Sequence, residues 1–162
     1  MIRKIEIPAD RTIGKIEIST DRTFPVQKYW RWSVVRYRNR TLNPWTSLVL
    51  WDHEAAGWLY YVHAIADNPD ITLRLDLASL PDTMEIEVSF RDLYEMGFTN
   101  SIHGFRVLRY DDTSRVYSAE FAPGISGYLG APFRDRIKAI VVNPTDKPVT
   151  FSINAWMIML EM

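Results

Sequence analysis

The sequence contains no cysteine, so the chain can form no disulfide, no thiolate metal site and no thiol nucleophile. A small disulfide-stapled secreted scaffold is thereby excluded, while the compartment stays open. Net charge is also sparse, at -1 over 162 residues, and exerts no overall pull toward nucleic acid or an anionic membrane. The N-terminal run MIRKIEIPAD has no apolar signal core, and no apolar run approaches the length of a membrane span. The expectation is a chain with no signal peptide and no transmembrane segment. Catalytic signatures are missing too. There is no Gly-rich phosphate loop, no G-x-S-x-G elbow and no H-E-x-x-H pair.

What is present is apolar and aromatic. An apolar fraction of 47% with 13% aromatics suits one packed domain and argues against disorder. A chain of this length buries roughly two thirds of its unfolded surface. The most informative stretch is Gly57 to Leu77, which reads as two β-strands joined at Asp67-Asn68-Pro69-Asp70. In the second strand Ile71, Leu73, Leu75 and Leu77 alternate with Thr72, Arg74 and Asp76, the period of a half-buried strand. The first is apolar on both faces, with Trp58, Tyr60, Val62 and Ala64 on one and Leu59, Tyr61 and Ile65 on the other. Such a strand needs a second sheet or a neighbouring subunit above it.

The rest of the chain repeats the theme. Lys4 to Ile13 (KIEIPADRTI) recurs as Lys15 to Phe24 (KIEISTDRTF), each copy a short isoleucine-alternating strand followed by an Asp-Arg-Thr turn. Two copies are too few for a solenoid, so residues 1–27 are expected to form a hairpin or an arm laid along a neighbour. Residues 28–162 form the main domain. Lys28 to Arg40 (KYWRWSVVRYRNR) is an aromatic, arginine-bearing strand. The near-neutral total and the lack of a nucleic-acid motif argue against nucleic acid. Trp30, Trp32, Arg36, Tyr37 and Arg38 instead fit the residue types enriched at protein interfaces. Met84, Ile86, Val88 and Phe90 are expected to face inward, with Glu85, Glu87 and Ser89 outward. Arg91 to Gly97 is the only helical scrap, with Gly97 suited to a left-handed stop. The last strand, from Val149, ends apolar on both faces at Trp156, Ile158 and Leu160, so another element or another chain is expected to cover it. About ten short strands and almost no helix predict an all-β, two-sheet β-sandwich. A jelly roll is the first choice and an immunoglobulin-like sandwich the second.

No residue cluster points to catalysis or to a cofactor. His53, His63 and His103 stand in separate segments, and His63, alternating with Leu59, Tyr61 and Ile65, reads as a core or interface histidine. Glu85 and Glu87 share a strand face, whereas glycosidase carboxylates face each other across a cleft. The aspartates at 67, 70, 111 and 112 are explained by turns without calcium. The protein is expected not to be an enzyme and to bind no metal.

The order of elements carries a resemblance. An aromatic G-W-L-Y-Y-V strand runs into D-N-P and a strand of alternating leucines. Then follow R-D-L-Y-E-M-G-F, R-Y-D-D and A-P-F-R-D-R-I-K-A-I-V-V-N-P-T-D-K-P-V-T-F. From about Gly57 to Leu160 this resembles the jelly-roll structural proteins of tailed phages and related viruses, as capsid, head-decoration or tail components. The resemblance implies a non-enzymatic virion protein that assembles as a symmetric oligomer, commonly a trimer, with other virion proteins as partners. It carries over no site residues, because those proteins work through surfaces. The alternative is a carbohydrate-binding module or host-recognition domain using exposed aromatics such as Trp45, Trp51 or Trp58 as coplanar glycan platforms.

Overall fold

A computed structural model describes residues 29–98, 104–122 and 130–161. The repeat at residues 1–27, and with it the choice between hairpin and arm, lies outside the described residues, as does His103. Ten strands and one short helix make up the described chain. They are β1 (Tyr29–Leu42), β2 (Ser47–His53), β3 (Ala56–Ala66), β4 (Thr72–Ser79), β5 (Asp82–Ser89) and α1 (Phe90–Glu95), followed by β6 (Phe105–Asp111), β7 (Val116–Phe121), β8 (Ala131–Phe133), β9 (Arg136–Val142) and β10 (Val149–Glu161). A six-stranded sheet runs β1-β10-β3-β7-β6, with β8 also paired to β3 beyond the end of β7; a four-stranded sheet runs β2-β9-β4-β5. All pairings are antiparallel.

The pairing nests from the outside in: β1 with β10, β2 with β9, β3 with β8, and β4 with β5. That is one long hairpin wrapped so that its successive arms fall in opposite sheets, the jelly-roll order. The β6–β7 hairpin is an addition that extends the six-stranded sheet. The two strands of the Gly57 to Leu77 stretch do not pair. Asp67–Asp70 carries the chain from one sheet to the other. It is held by Asn68 Oδ1, which accepts from Asp70 N at 2.9 Å, and by Asp67 Oδ1, which accepts from Thr150 N at 3.0 Å.

The core lies between the sheets. Leu59, Val62, Phe133, Phe151, Ala155 and Met157 point into it from one side, and Leu75, Leu77, Ile137, Ala139 and Val141 from the other. The β4 alternation holds as the sequence predicts. In β3 it does not, because a register shift between Trp156 and Met157 of β10 leaves Tyr60 without a partner. The bulge turns Leu59 and Val62 to the same side, into the core, although strict alternation assigns them to opposite faces. His63 therefore does not share a face with Leu59. It sits half-buried on the outer face, its ring stacked on Tyr61 at 6.5 Å and 10°.

Two further expectations on β5 are corrected. Met84 is exposed, because it lies near the start of β5, the edge strand of the four-stranded sheet. Ser89 is buried instead of facing solvent, because it caps the helix. Its Oγ accepts from Asp92 N at 3.0 Å while Asp92 Oδ2 accepts from Ser89 N at 3.0 Å, a reciprocal capping box. Gly97 takes φ +79° just past α1, the stop expected of it. Among the described residues, no helix is long and apolar enough to cross a membrane.

Candidate functional site

The two outer faces of the sandwich differ in kind. On the four-stranded sheet most outward charged side chains pair, beside an apolar spot at Val49 and Ile140. Arg136 binds Asp52 through both Nε and Nη2, with Lys138 Nζ 4.0 Å from the same carboxylate. Arg74 reaches Asp76 at 3.0 Å and Glu85 at 3.3 Å. The guanidinium of Arg136, hydrogen-bonded to it, holds the Asp52 carboxyl below its usual range. Exposed pairs of this sort contribute little stability, about 0–1 kcal/mol each, but keep the face solvated.

The outer face of the six-stranded sheet is aromatic. β1 contributes Trp30, Trp32 and Val34, β10 contributes Trp156 and Ile158, and β3 contributes Trp58, Tyr60 and Tyr61. Trp30 leans on Trp58 at 4.9 Å and Trp32 on Tyr60 at 5.1 Å, while Tyr61 touches Trp156 at 6.2 Å. Trp30, Trp58, Tyr60 and Ile158 enclose a depression of about 150 Å³. Exposure remains high: Trp30 41%, Trp32 61%, Val34 51% and Trp156 48%.

A polar row bounds this patch. The register aligns Arg36, Asn154, His63, Glu120 and Arg106 as successive neighbours across β1, β10, β3, β7 and β6. Glu120 is buried, with Arg106 Nη2 2.6 Å from its Oε1 and the Tyr61 hydroxyl donating to its Oε2 at 3.2 Å. Burial, then the nearby Glu120 charge, pushes the Tyr61 phenol up. An apolar centre with a charged, hydrogen-bonded border is the anatomy of a protein interface.

Of the residues singled out from sequence, Trp30, Trp32, Arg36 and Trp156 share this face. Tyr37 does not. It points between the sheets, and its hydroxyl donates to Leu50 O of β2 at 2.5 Å, tying one sheet to the other. Arg38 falls in the register shift between Tyr37 and Arg40 and is exposed. Trp58, Tyr60 and Tyr61 belong to the face, and the both-sides-apolar reading of their strand was the signal for them. Of the polar row only Arg36 and His63 carried a sequence signal; Asn154, Glu120 and Arg106 carried none, since the row draws on five strands. Trp51, a candidate glycan platform, is in the core at 4% exposure, and Trp45 is exposed in the turn before β2.

The loop aspartates are engaged within the chain. Asp70 pairs with Arg91. Asp111 accepts from Thr113 N at 3.0 Å, Ser114 N at 2.9 Å and Arg109 Nη2 at 2.9 Å, bonds that hold its carboxyl far below the usual range. Asp112 accepts from the Tyr117 hydroxyl at 2.7 Å. Burial first, then that hydrogen bond, pushes the Tyr117 phenol up to about 12. A raised folded-state value means that this contribution to stability is complete below the ordinary tyrosine pKa of about 10 and is lost as pH climbs toward 12. The urea midpoint should accordingly fall between pH 10 and 12, and Tyr117→Phe should flatten part of that fall. A variant with the parent's slope would show that the Tyr117 phenol is not raised in the folded state.

The fold and this face define a jelly-roll sandwich with one solvated and one aromatic side. No protein-family model and no curated protein matches the chain.

Proposed function

We propose that the protein is a non-enzymatic virion structural protein, of capsid or head-decoration type, that assembles with copies of itself and neighbouring subunits through the outer face of its six-stranded sheet. The observation that carries this is the contrast between the two faces, one laced with ion pairs and the other bearing open tryptophans. At about 200–250 Å² per tryptophan, Trp30, Trp32 and Trp156 alone leave roughly 300–400 Å² exposed. That already matches the largest apolar patch on a typical monomer, about 300–600 Å². The jelly-roll order and the resemblance of residues 57–160 to phage structural proteins support the virion setting. A glycan platform is less well supported, because the paired rings tilt by 45° and 40° and are not coplanar.

Light scattering on the full chain is expected to give a closed oligomer, a trimer being the form the resemblance implies. Trp32 is open and, among the described residues, its ring meets no aromatic but Tyr60, so Trp32→Ser should change the stability of one copy by no more than about 1 kcal/mol. If Trp32 anchors the interface, the same change costs about 2 kcal/mol or more of association, roughly a thirtyfold rise in dissociation constant. A parent protein that stays monomeric at every concentration would sink the assembly reading. An antibody to the chain should label intact particles from its source in negative stain, and unlabelled particles would remove it from the virion surface.

A further inference from the structure

Within one copy the aromatic face stays open, with Trp32 61% exposed. Residues 1–28 lie outside the described structure, and their sequence matches the face in two respects. In extended backbone the two repeats place Ile5 with Ile7, and Ile16 with Ile18, on one side of the chain and their charged neighbours on the other. A strand of that kind buries isoleucines against the tryptophans while keeping its charges in water. Reach is sufficient too. The chain from Ile16 to Lys28 extends to about 40 Å, against roughly 19 Å across a sheet of five adjacent strands.

We infer that the aromatic outer face of the six-stranded sheet is a docking site for the N-terminal repeat, residues 4–24, of a second copy of this chain. This rests on the assembly reading and gives it a mechanism: an arm from one subunit lies on the face of the next, leaving a free face at one end and a free arm at the other until the ring closes.

The native chain has no cysteine, so engineered ones report cleanly. Ile16→Cys and Val34→Cys are made in separate full-length chains, mixed and oxidised, with Glu87→Cys on the opposite sheet's outer face replacing Val34→Cys as control. A disulfide closes only when the two Cα atoms come within about 7 Å. Mixed Ile16–Val34 dimers exceeding the control by roughly tenfold or more, as assembly raises effective concentration, are the expected result. Thermal melts of each variant check that it folds.

Each other outcome overturns the inference, and the mass of the parent then decides the fate of the assembly reading. Val34–Val34 dimers alone would mean that two faces meet without an arm. A link found only inside a chain carrying both cysteines would mean that the arm covers its own sheet. No link with an oligomeric parent removes the arm contact and spares assembly, and no link with a monomeric parent removes both.

Discussion

Gly57→Ala is expected to destabilise the protein by about 4 kcal/mol, above the ~1–3 kcal/mol usual for overpacking. Gly57 lies in β3 where β10 passes on one side and β8 on the other, paired with Met159 and Phe133. A methyl group there would stand 2.0 Å from the carbonyl oxygen of Ile158 and 2.9 Å from Phe133 Cζ. The first obstacle is backbone. It cannot rotate away, so the strands must separate by more than an ångström, and the ladder between β3 and β10 opens where the core is tightest. Met157 and Leu59, both fully buried, lie immediately beside the site. For a chain of this size, 4 kcal/mol is roughly a 10–15 °C fall in melting temperature. Circular dichroism melts of the parent and the variant decide the matter. A variant melting within about 2 °C of the parent, less than 1 kcal/mol on the same scale, would mean that β3 and β10 do not approach this closely.

Asn143→Ala should cost nearly as much, about 3–4 kcal/mol, through hydrogen bonds and not volume. Asn143 is wholly buried at the end of β9. Its Nδ2 donates toward Lys147 O at 2.7 Å, Leu42 O at 3.1 Å and Asn43 O at 3.2 Å. Its Oδ1 accepts from Thr145 N at 3.0 Å and Thr145 Oγ1 at 2.7 Å. One side chain thus shapes the turn between β9 and β10 and fastens it to the turn between β1 and β2. Removing it leaves Leu42 O without this donor in a buried position, and Asn43 O, Lys147 O and Thr145 N without their Asn143 partner in partly buried ones. Asn143→Asp discriminates further. Its ionised carboxylate would face three carbonyl oxygens, so this variant should be less stable than Asn143→Ala at pH 7 and recover as the acid protonates at pH 4. Chemical denaturation at the two pH values measures both effects. An alanine variant within 1 kcal/mol of the parent would mean that the turn holds without Asn143.

Both sites show where sequence reading stops. Asn143-Pro-Thr-Asp-Lys-Pro148 is plainly a turn, yet nothing local says that its asparagine clamps a turn 100 residues earlier. Gly57 follows Ala56 in an ordinary strand, and its need to be glycine arises from Ile158, which belongs to another strand.

What the sequence determined by itself was the material: an all-β chain of about ten strands, a stop for its short helix, the inward set of β4, and the aromatic character of β1 and β3. These follow from period-two alternation and turn chemistry, which act over a few residues and so are written locally. Only the tertiary structure decided which strands pair, which faces meet and which stay open. The bulge at Tyr60 turned Leu59 and Val62 to the same side, packing sent Tyr37 and Trp51 inward, and register drew Arg36, Asn154, His63, Glu120 and Arg106 into one row. A one-residue slip moves every following side chain to the other face, and contacts between strands far apart in the chain select the slip.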